Sequence, residues 1–291
     1  MVIRTPTVFV LGAGASKDFE FPLGFELVHN VIDGLRKDKH ARGEFLKMMI
    51  EFGEAALDDF LKTMDASSQN SVDAFLEHRR AYMEIGKAAM SMMLIKRERE
   101  HELYRERDPF KHWMRYLLHQ IRGQDFEEFW ENKISFVTFN YDRSLEYFLH
   151  RALTDSYDKP PDYIWERMQK EIPIVHVHGR LGHFPWEGSG GRDYTPQVTV
   201  EGLHLCIKDI KIMHEGAEVA TPEFDRAKKL LAEARRVRFL GVGFNNLNMQ
   251  RLGVMSLGDG LAEATCVGLS AREHKQLTDR LIWAFILDSK V

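Results

Sequence analysis

Residues 7–16, with the sequence TVFVLGAGAS, decide the fold. The first half is an uninterrupted apolar run rich in β-branched and aromatic residues, and a turn with two glycines, Gly12 and Gly14, follows it directly. The apolar run predicts a buried strand, and the glycines predict a tight turn from this strand into a helix. From residue 23 onward the apolar residues recur at near-helical spacing, which agrees with that interpretation.

The same strand pattern returns in the second half of the chain. It appears at residues 134–139, 174–177, 237–240 and 264–269, with helical spacing at 140–152, 222–235 and 271–281. Strands that alternate with helices are typical of a parallel sheet covered by helices on both faces. We therefore predict an α/β fold with a Rossmann-like parallel sheet, in a single domain over residues 1–291.

Residues 40–130 interrupt this alternation. Apolar residues such as Phe45 and Phe52 recur there with a period near 3.6, and no proline occurs between Pro22 and Pro109. This pattern favours long helices. We predict that residues 40–130 form a helical insertion, or subdomain, between the first and second strands.

Composition excludes several classes of protein. Of the 291 residues, 44% are hydrophobic and 29% are charged, which excludes a disordered chain. The formal net charge is -4, so we expect no direct nucleic-acid binding. The two cysteines, Cys206 and Cys266, lie far apart, which excludes a disulfide framework and a cysteine-rich zinc site. No apolar run approaches the ~20 residues that span a bilayer, so we expect a cytoplasmic protein without membrane contact.

Glycine and polar residues follow each predicted strand. They lie at residues 12–16, 140–142, 178–179 and 241–245. Because ligands of open parallel sheets bind at the carboxyl ends of the strands, this coincidence predicts a site there. The turn at 12–16 could hold a phosphate on its backbone, or it could be a tight turn without a ligand. It is not the common dinucleotide motif, because Lys17 stands where the third glycine would be.

Taken together and in this order, the four stretches resemble the sirtuin family. That family shows a G-A-G-x-S turn, a T-Q-N-x-D segment, an H-G pair and a late glycine turn, and this chain has GAGAS at 12–16, TFNYD at 138–142, HG at 178–179 and GVG at 241–243. The resemblance covers residues 7–30 and 134–270, roughly half of the chain.

The departures from the family are specific. The two C-x-x-C pairs of its structural zinc module are absent, and Phe139 replaces the glutamine of the T-Q-N-x-D segment. These changes argue against binding of an acylated lysine peptide. In this respect the chain is similar to the divergent, zinc-less, sirtuin-like NAD hydrolases of bacterial anti-phage defence.

The resemblance implies that NAD is the substrate and that the nicotinamide–ribose bond is cleaved to give nicotinamide and ADP-ribose, with no metal, in an abortive-infection effector. It implies that Asn140 orients the ribose hydroxyls and the attacking water, and that His178 is a general base or a hydroxyl partner. The remaining site residues are expected to hold the diphosphate (Gly12, Ala13, Gly14, Ser16), to support the nicotinamide end or the Asn140 loop (Asp142), and to line the adenosine half (Gly241, Gly243, Asn245).

Alternatives stay open at this point. Asn140 could be only a helix cap, His178 a satisfied buried histidine, and Asn245 a plain turn residue. His176, His178 and His183 could hold a metal. The whole chain could be a sensor that binds ADP-ribose or a related nucleotide without chemistry, or an NAD-dependent protein deacylase or ADP-ribosyltransferase. We also expect control by a homo-oligomer or a partner protein chain, with the helical segment 40–130 as the contact surface.

Overall fold

Six parallel strands form one sheet in the part of the chain that the structure describes. A computed structural model describes residues 2–123, 125–212, 221–254, 261–265 and 284–287. The strands are β1 (Thr7–Leu11), β2 (Ile134–Thr138), β3 (Ile174–His176), β4 (Arg236–Leu240), β5 (Leu261–Thr265) and β6 (Ala284–Leu287). They lie in the order β3-β2-β1-β4-β5-β6, and every neighbouring pair is parallel. The predicted α/β class with a parallel, Rossmann-like sheet is confirmed.

Strand β1 lies between β2 and β4. Leu11 is opposite Thr138 on one side and opposite Leu240 on the other, so the three strands end at the same level. The chain proceeds from β1 toward β2 and β3 on one side and later returns to the other side with β4. The carboxyl end of β1 is therefore the point at which the strand order reverses, where open α/β sheets bind their ligands.

In the described residues, the connection from β1 to β2 consists of α-helices, short 3₁₀ helices and the loops between them. The α-helices are α1 (Gly24–Arg36), α2 (Lys39–Met48), α3 (Gly53–Ser67), α4 (Val72–His78), α5 (Met83–Ile95), α6 (Glu100–Arg105), α7 (Trp113–Ile121) and α8 (Phe126–Phe129). Helix α5 is buried along most of its length and packs against α1 and the later helix α11 (Val200–Asp209). Helices occupy most of residues 40–130, and α1 begins at Gly24, where helical spacing was predicted from residue 23 onward. That residues 40–130 form an insertion or subdomain stays a prediction.

Both faces of the sheet are covered. The later helices are α9 (Ser144–Tyr157), α10 (Pro161–Glu171), α11, α12 (Pro222–Glu233) and α13 (Asn246–Leu252). One face, with residues such as Phe9 and Phe136, shares a core with α1–α8 and with α9, α10 and α11. The other face, with residues such as Val10 and Val237, packs on α12 and α13. None of the helices in the described ranges is long and apolar enough to cross a membrane.

The last part of the sheet differs from the prediction. The final strand was expected at 264–269, whereas β5 begins earlier, at Leu261, and residues 266–269 lie outside the described residues. Strand β6 was not predicted. The predicted helix at 271–281 lies outside the described residues.

A buried ion pair ties α9 to the helical segment. Arg143 donates to both carboxylate oxygens of Glu98, at 2.9 and 2.8 Å, and both side chains are 0% exposed. Arg143 also donates to the carbonyls of Arg192 and Asp193, each at 3.0 Å, and its guanidinium lies over the ring of Phe184. Because Arg143 follows the predicted site segment 140–142, this pair fixes the start of α9 and with it that segment.

Candidate functional site

The glycine turns after β1 and β4 contact each other through their backbones. Gly12 N donates to Leu240 O and Gly14 N donates to Gly241 O, both at 3.0 Å. Gly241 has a φ of 61°, and a Cβ on it would lie 2.1 Å from the backbone nitrogen of Ala15. Such an approach is possible only for glycine. These glycines therefore have a packing reason that is independent of any ligand.

Asn140 joins these turns to the segment after β2. Its side-chain nitrogen donates to Gly12 O at 2.9 Å and to Ser16 Oγ at 3.0 Å, while Ser16 Oγ donates to Asp142 Oδ2 at 2.7 Å. The interpretation of Asn140 as only a helix cap is wrong, because α9 begins at Ser144 and Asn140 is not its capping residue. The structure thus brings Gly12, Ser16, Asn140 and Asp142 into one hydrogen-bonded group.

Asp142 is the one acid in this group of four residues, and its side chain is buried. Burial raises the pKa of its carboxyl, and hydrogen bonds from Ser144 and Ser16 oppose that rise. Its contacts lead to Ser16 and to the start of α9. They support the expectation that Asp142 locks the Asn140 loop.

Sequence reasoning missed a second buried pair, His176 and Glu146. His176 Nδ1 lies 2.9 Å from the carbonyl oxygen of Asn140, and Nε2 lies 2.5 Å from Glu146 Oε1. Burial of the Glu146 carboxyl opposes ionisation, but His176 and Arg180 together hold its pKa below the usual value. Each ring nitrogen of His176 therefore faces an oxygen that can accept a hydrogen bond, one a carbonyl and the other a carboxylate.

The hydrogen bonds of His176 also test the suggestion that His176, His178 and His183 hold a metal. Both ring nitrogens of His176 are occupied, so this histidine is not free to bind a metal. Within the described part of the chain, no group of three His, Cys, Asp or Glu side chains is placed to hold a metal ion.

His178 has different neighbours from those of Asn140. The half-buried ring lies 5.8 Å from that of Phe139 and 5.7 Å from that of Phe224. Burial lowers the pKa of His178, while Asp73 of α4 and a hydrogen bond with Asn248 oppose the fall. The imidazole is therefore neutral near pH 7, as a general base or a hydroxyl partner must be.

The predicted phosphate and adenosine residues are less distinctive. The Gly14 N–H and the Ser16 hydroxyl already have partners, and Ala13 begins a 3₁₀ turn. Asn245 caps α13 by accepting from Leu247 N and Asn248 N, which agrees with the turn alternative. Gly243 is exposed, and a Cβ on it would meet no atom within 4 Å. Their contact with a nucleotide stays a prediction.

Two cavities adjoin this group of residues. An inner cavity of about 10 Å³ has polar walls that include Ser16, Thr138, Asn140, Asp142, Ser144, Glu146 and His176. An open cleft of about 700 Å³ lies along edge strand β3, between α10, α11 and α12, and Glu146 and His176 line it as well. We call these the inner cavity and the edge cleft.

The free energy of unfolding should fall in acid, because the folded protein disfavours the protonated form of three histidines. Burial lowers the pKa values of His112, His150 and His178. In the unfolded chain a histidine titrates at about pH 6.5, so below this pH the unfolded state binds protons that the folded state excludes. The stabilisation is therefore present above pH 6.5 and is lost as the pH falls. We expect the melting temperature to drop between pH 7.5 and 5.5, and to drop less in His178→Gln. An equal drop in both proteins would contradict the assignment for His178.

In comparisons with known proteins, no protein-family model matches this chain and no curated protein matches it.

Proposed function

We propose that this chain is an NAD hydrolase that cleaves the nicotinamide–ribose bond and releases nicotinamide and ADP-ribose. The observation that carries the proposal is the group formed by Asn140, Ser16 and Asp142 against the two glycine turns. This group lies at the reversal point of the sheet, where a dinucleotide would bind.

The reaction needs hydrogen-bond acceptors near the ribose, where positive charge develops. Cleavage of the bond gives an oxocarbenium-like ribose, as in glycoside hydrolysis. The Asn140 nitrogen is engaged by Gly12 and Ser16, which turns the amide oxygen away from them. That oxygen would accept from a ribose hydroxyl or from the attacking water. The neutral His178 would accept from a second hydroxyl. The protein would otherwise position the nucleotide and shield it from solvent.

Other parts of the proposal rest on the resemblance alone. They are a diphosphate held at Gly12–Ser16, an adenosine half near Gly241, Gly243 and Asn245, and a role in anti-phage defence. Control by oligomerisation or by a partner chain through the helical segment 40–130 also stays a prediction.

We expect the purified protein to release nicotinamide from NAD, and Asn140→Ala and His178→Ala each to lower kcat by about 10²–10⁴-fold. The exposed His204 lies outside the site, so His204→Ala is the matched control and should retain full activity. Chromatography of nicotinamide and ADP-ribose measures turnover, and equal melting temperatures would show that the variants are folded. Release that persists in both variants would place the reaction elsewhere.

A nucleotide sensor is the second candidate, and one observation favours it. The inner cavity beside Asn140 has room for about one water molecule, so a nicotinamide ring would enter only after side chains move. A sensor would release no nicotinamide, yet NAD or ADP-ribose would raise its melting temperature. Absence of both turnover and thermal shift would refute any nucleotide site.

A further inference from the structure

Glu146 forms part of the wall between the inner cavity and the edge cleft. It projects from the first turn of α9, is 2% exposed, and lines both spaces. Oε1 is bound by His176, whereas Oε2 is enclosed by protein and accepts no hydrogen bond from it. A buried carboxylate oxygen without a partner is costly, so it needs a ligand of its own.

The inner cavity is the right size for that ligand to be water. About 10 Å³ is close to the volume needed for one water molecule, and a buried water requires two to four polar partners. The walls offer Glu146 together with Asn140 and Asp142, whose neighbours Ser16 and Ser144 add hydroxyl groups. A water there would bond to Glu146 and lie beside Asn140.

The surroundings of Glu146 favour its ionised form, which is the form that can accept a proton. His176 Nε2 lies 2.5 Å from Glu146 Oε1, and Arg180 lies 3.8 Å from the same oxygen. These two side chains hold the pKa of Glu146 below its usual value, against its burial. Asp142 shares the inner cavity, and burial raises the pKa of that carboxyl instead. Of the two acids, Glu146 is therefore the stronger candidate for a base that is ionised at neutral pH.

We propose that the inner cavity holds the water that attacks the ribose, and that Glu146 is the general base that takes its proton. This inference rests on the proposed NAD hydrolase function, and it leaves His178 as the partner of a ribose hydroxyl. The water oxygen forms a bond to the anomeric carbon as the nicotinamide–ribose bond breaks. Nicotinamide leaves as a neutral base with the electron pair of that bond. The extra proton of the water passes to the Glu146 carboxylate.

The edge cleft gives this proton a way out. Because Glu146 and His176 also line the cleft, solvent there can take the proton from Glu146 and restore the carboxylate. The proton then does not have to return past the bound nucleotide.

The rates of hydrolysis and of base exchange, compared in the same variant, distinguish a general base from a residue with only a structural role. Hydrolysis releases a proton from water, whereas exchange of nicotinamide for 3-acetylpyridine forms the new bond from a neutral ring nitrogen and needs no base. We expect Glu146→Gln to lower hydrolysis by about 10²–10⁴-fold and to leave exchange within a few-fold, so that their ratio rises at least about 10-fold. Glu223→Gln is the control, since Glu223 lines the edge cleft but not the inner cavity. It should leave the ratio unchanged.

Two outcomes would overturn the assignment of Glu146. Equal losses of hydrolysis and exchange would indicate a structural role only, and undiminished hydrolysis would exclude it as a base. A wild-type chain that releases no nicotinamide would instead refute the proposed function itself. Carbon-13 NMR of the glutamate carboxyl groups tests the state of Glu146 without relying on activity, with its signal assigned by its loss in Glu146→Gln. Because its neighbours hold the pKa of Glu146 below the usual value, we expect an ionised carboxylate at pH 7.5, and a protonated Glu146 would overturn the proposal.

Discussion

Replacement of Arg143 by methionine is expected to lower the free energy of unfolding by about 3–5 kcal/mol. The substitution removes the partner of Glu98 and leaves that carboxylate buried beside the remaining cation Arg192, which also pairs with it. It also leaves the carbonyl of Arg192 without its donor, and the carbonyl of Asp193 keeps only the bond from Arg192 Nη1. Breaking one side of a buried pair costs far more than the intact pair contributes, because the desolvated charge remains.

Urea denaturation of the wild type and the variant measures this loss of unfolding free energy. An ion pair on the surface provides the control. Arg151 and Asp155 are also paired at 2.8 Å, but they lie one helical turn apart and both are more than half exposed. Arg151→Met should therefore cost at most about 0.5 kcal/mol. A loss below about 1 kcal/mol in Arg143→Met would show that the Glu98 carboxyl becomes neutral or reaches solvent in the variant.

Gly241→Ala is expected to have the second large effect, on both stability and NAD turnover. Its left-handed backbone costs about 1–2 kcal/mol for a residue with a Cβ. The added carbon would also lie 2.1 Å from Ala15 N, so the turn after β1 must move. With the usual cost of overpacking, about 1–3 kcal/mol, the total loss should be about 2–5 kcal/mol. Because the displaced turn carries Gly12 and Ser16, the partners of Asn140, turnover should fall with it.

Gly243→Ala is the matched control two residues away. Since a Cβ at Gly243 meets no atom within 4 Å, we expect nearly unchanged stability. Calorimetry should be measured on both variants, and nicotinamide release on Gly241→Ala and the wild type. Full turnover in a folded Gly241→Ala protein would show that the contact between the two glycine turns is not needed for the site.

The middle of the sheet could be predicted from the sequence, whereas its far edge could not. Strand β1 is an apolar run, β2 is mostly apolar, and β4 alternates arginine with valine and phenylalanine. Glycine or asparagine follows each of them within two residues, so composition and turn chemistry agree. Strand β5 reads LAEAT, in which alanine and glutamate favour strands poorly. Its pairing with β4 decides its position, and such pairing is invisible in a local pattern.

The same distinction applies to the site. Asn140, Ser16 and Asp142 could be placed together because parallel strands end at one edge of the sheet. Glu146 could not, since a glutamate in a helical pattern normally faces water. Only its contact with His176, from a strand about thirty residues later, reveals that it is buried. The weak signals were its spacing of one helical turn from Asp142 and the second histidine two positions before His178.

The central position of β1 has a consequence for the order in which the chain folds. Its two neighbours come from residues 134–138 and 236–240, so the second is synthesised about 230 residues after β1 itself. At typical ribosomal speeds of ~5–20 residues per second, that delay is roughly 10–50 s. Helices α1–α8 are complete long before then and can cover one face of β1, while its edge toward β4 stays unpaired. An open strand edge invites pairing with other chains, so this interval is when the nascent protein most needs a chaperone.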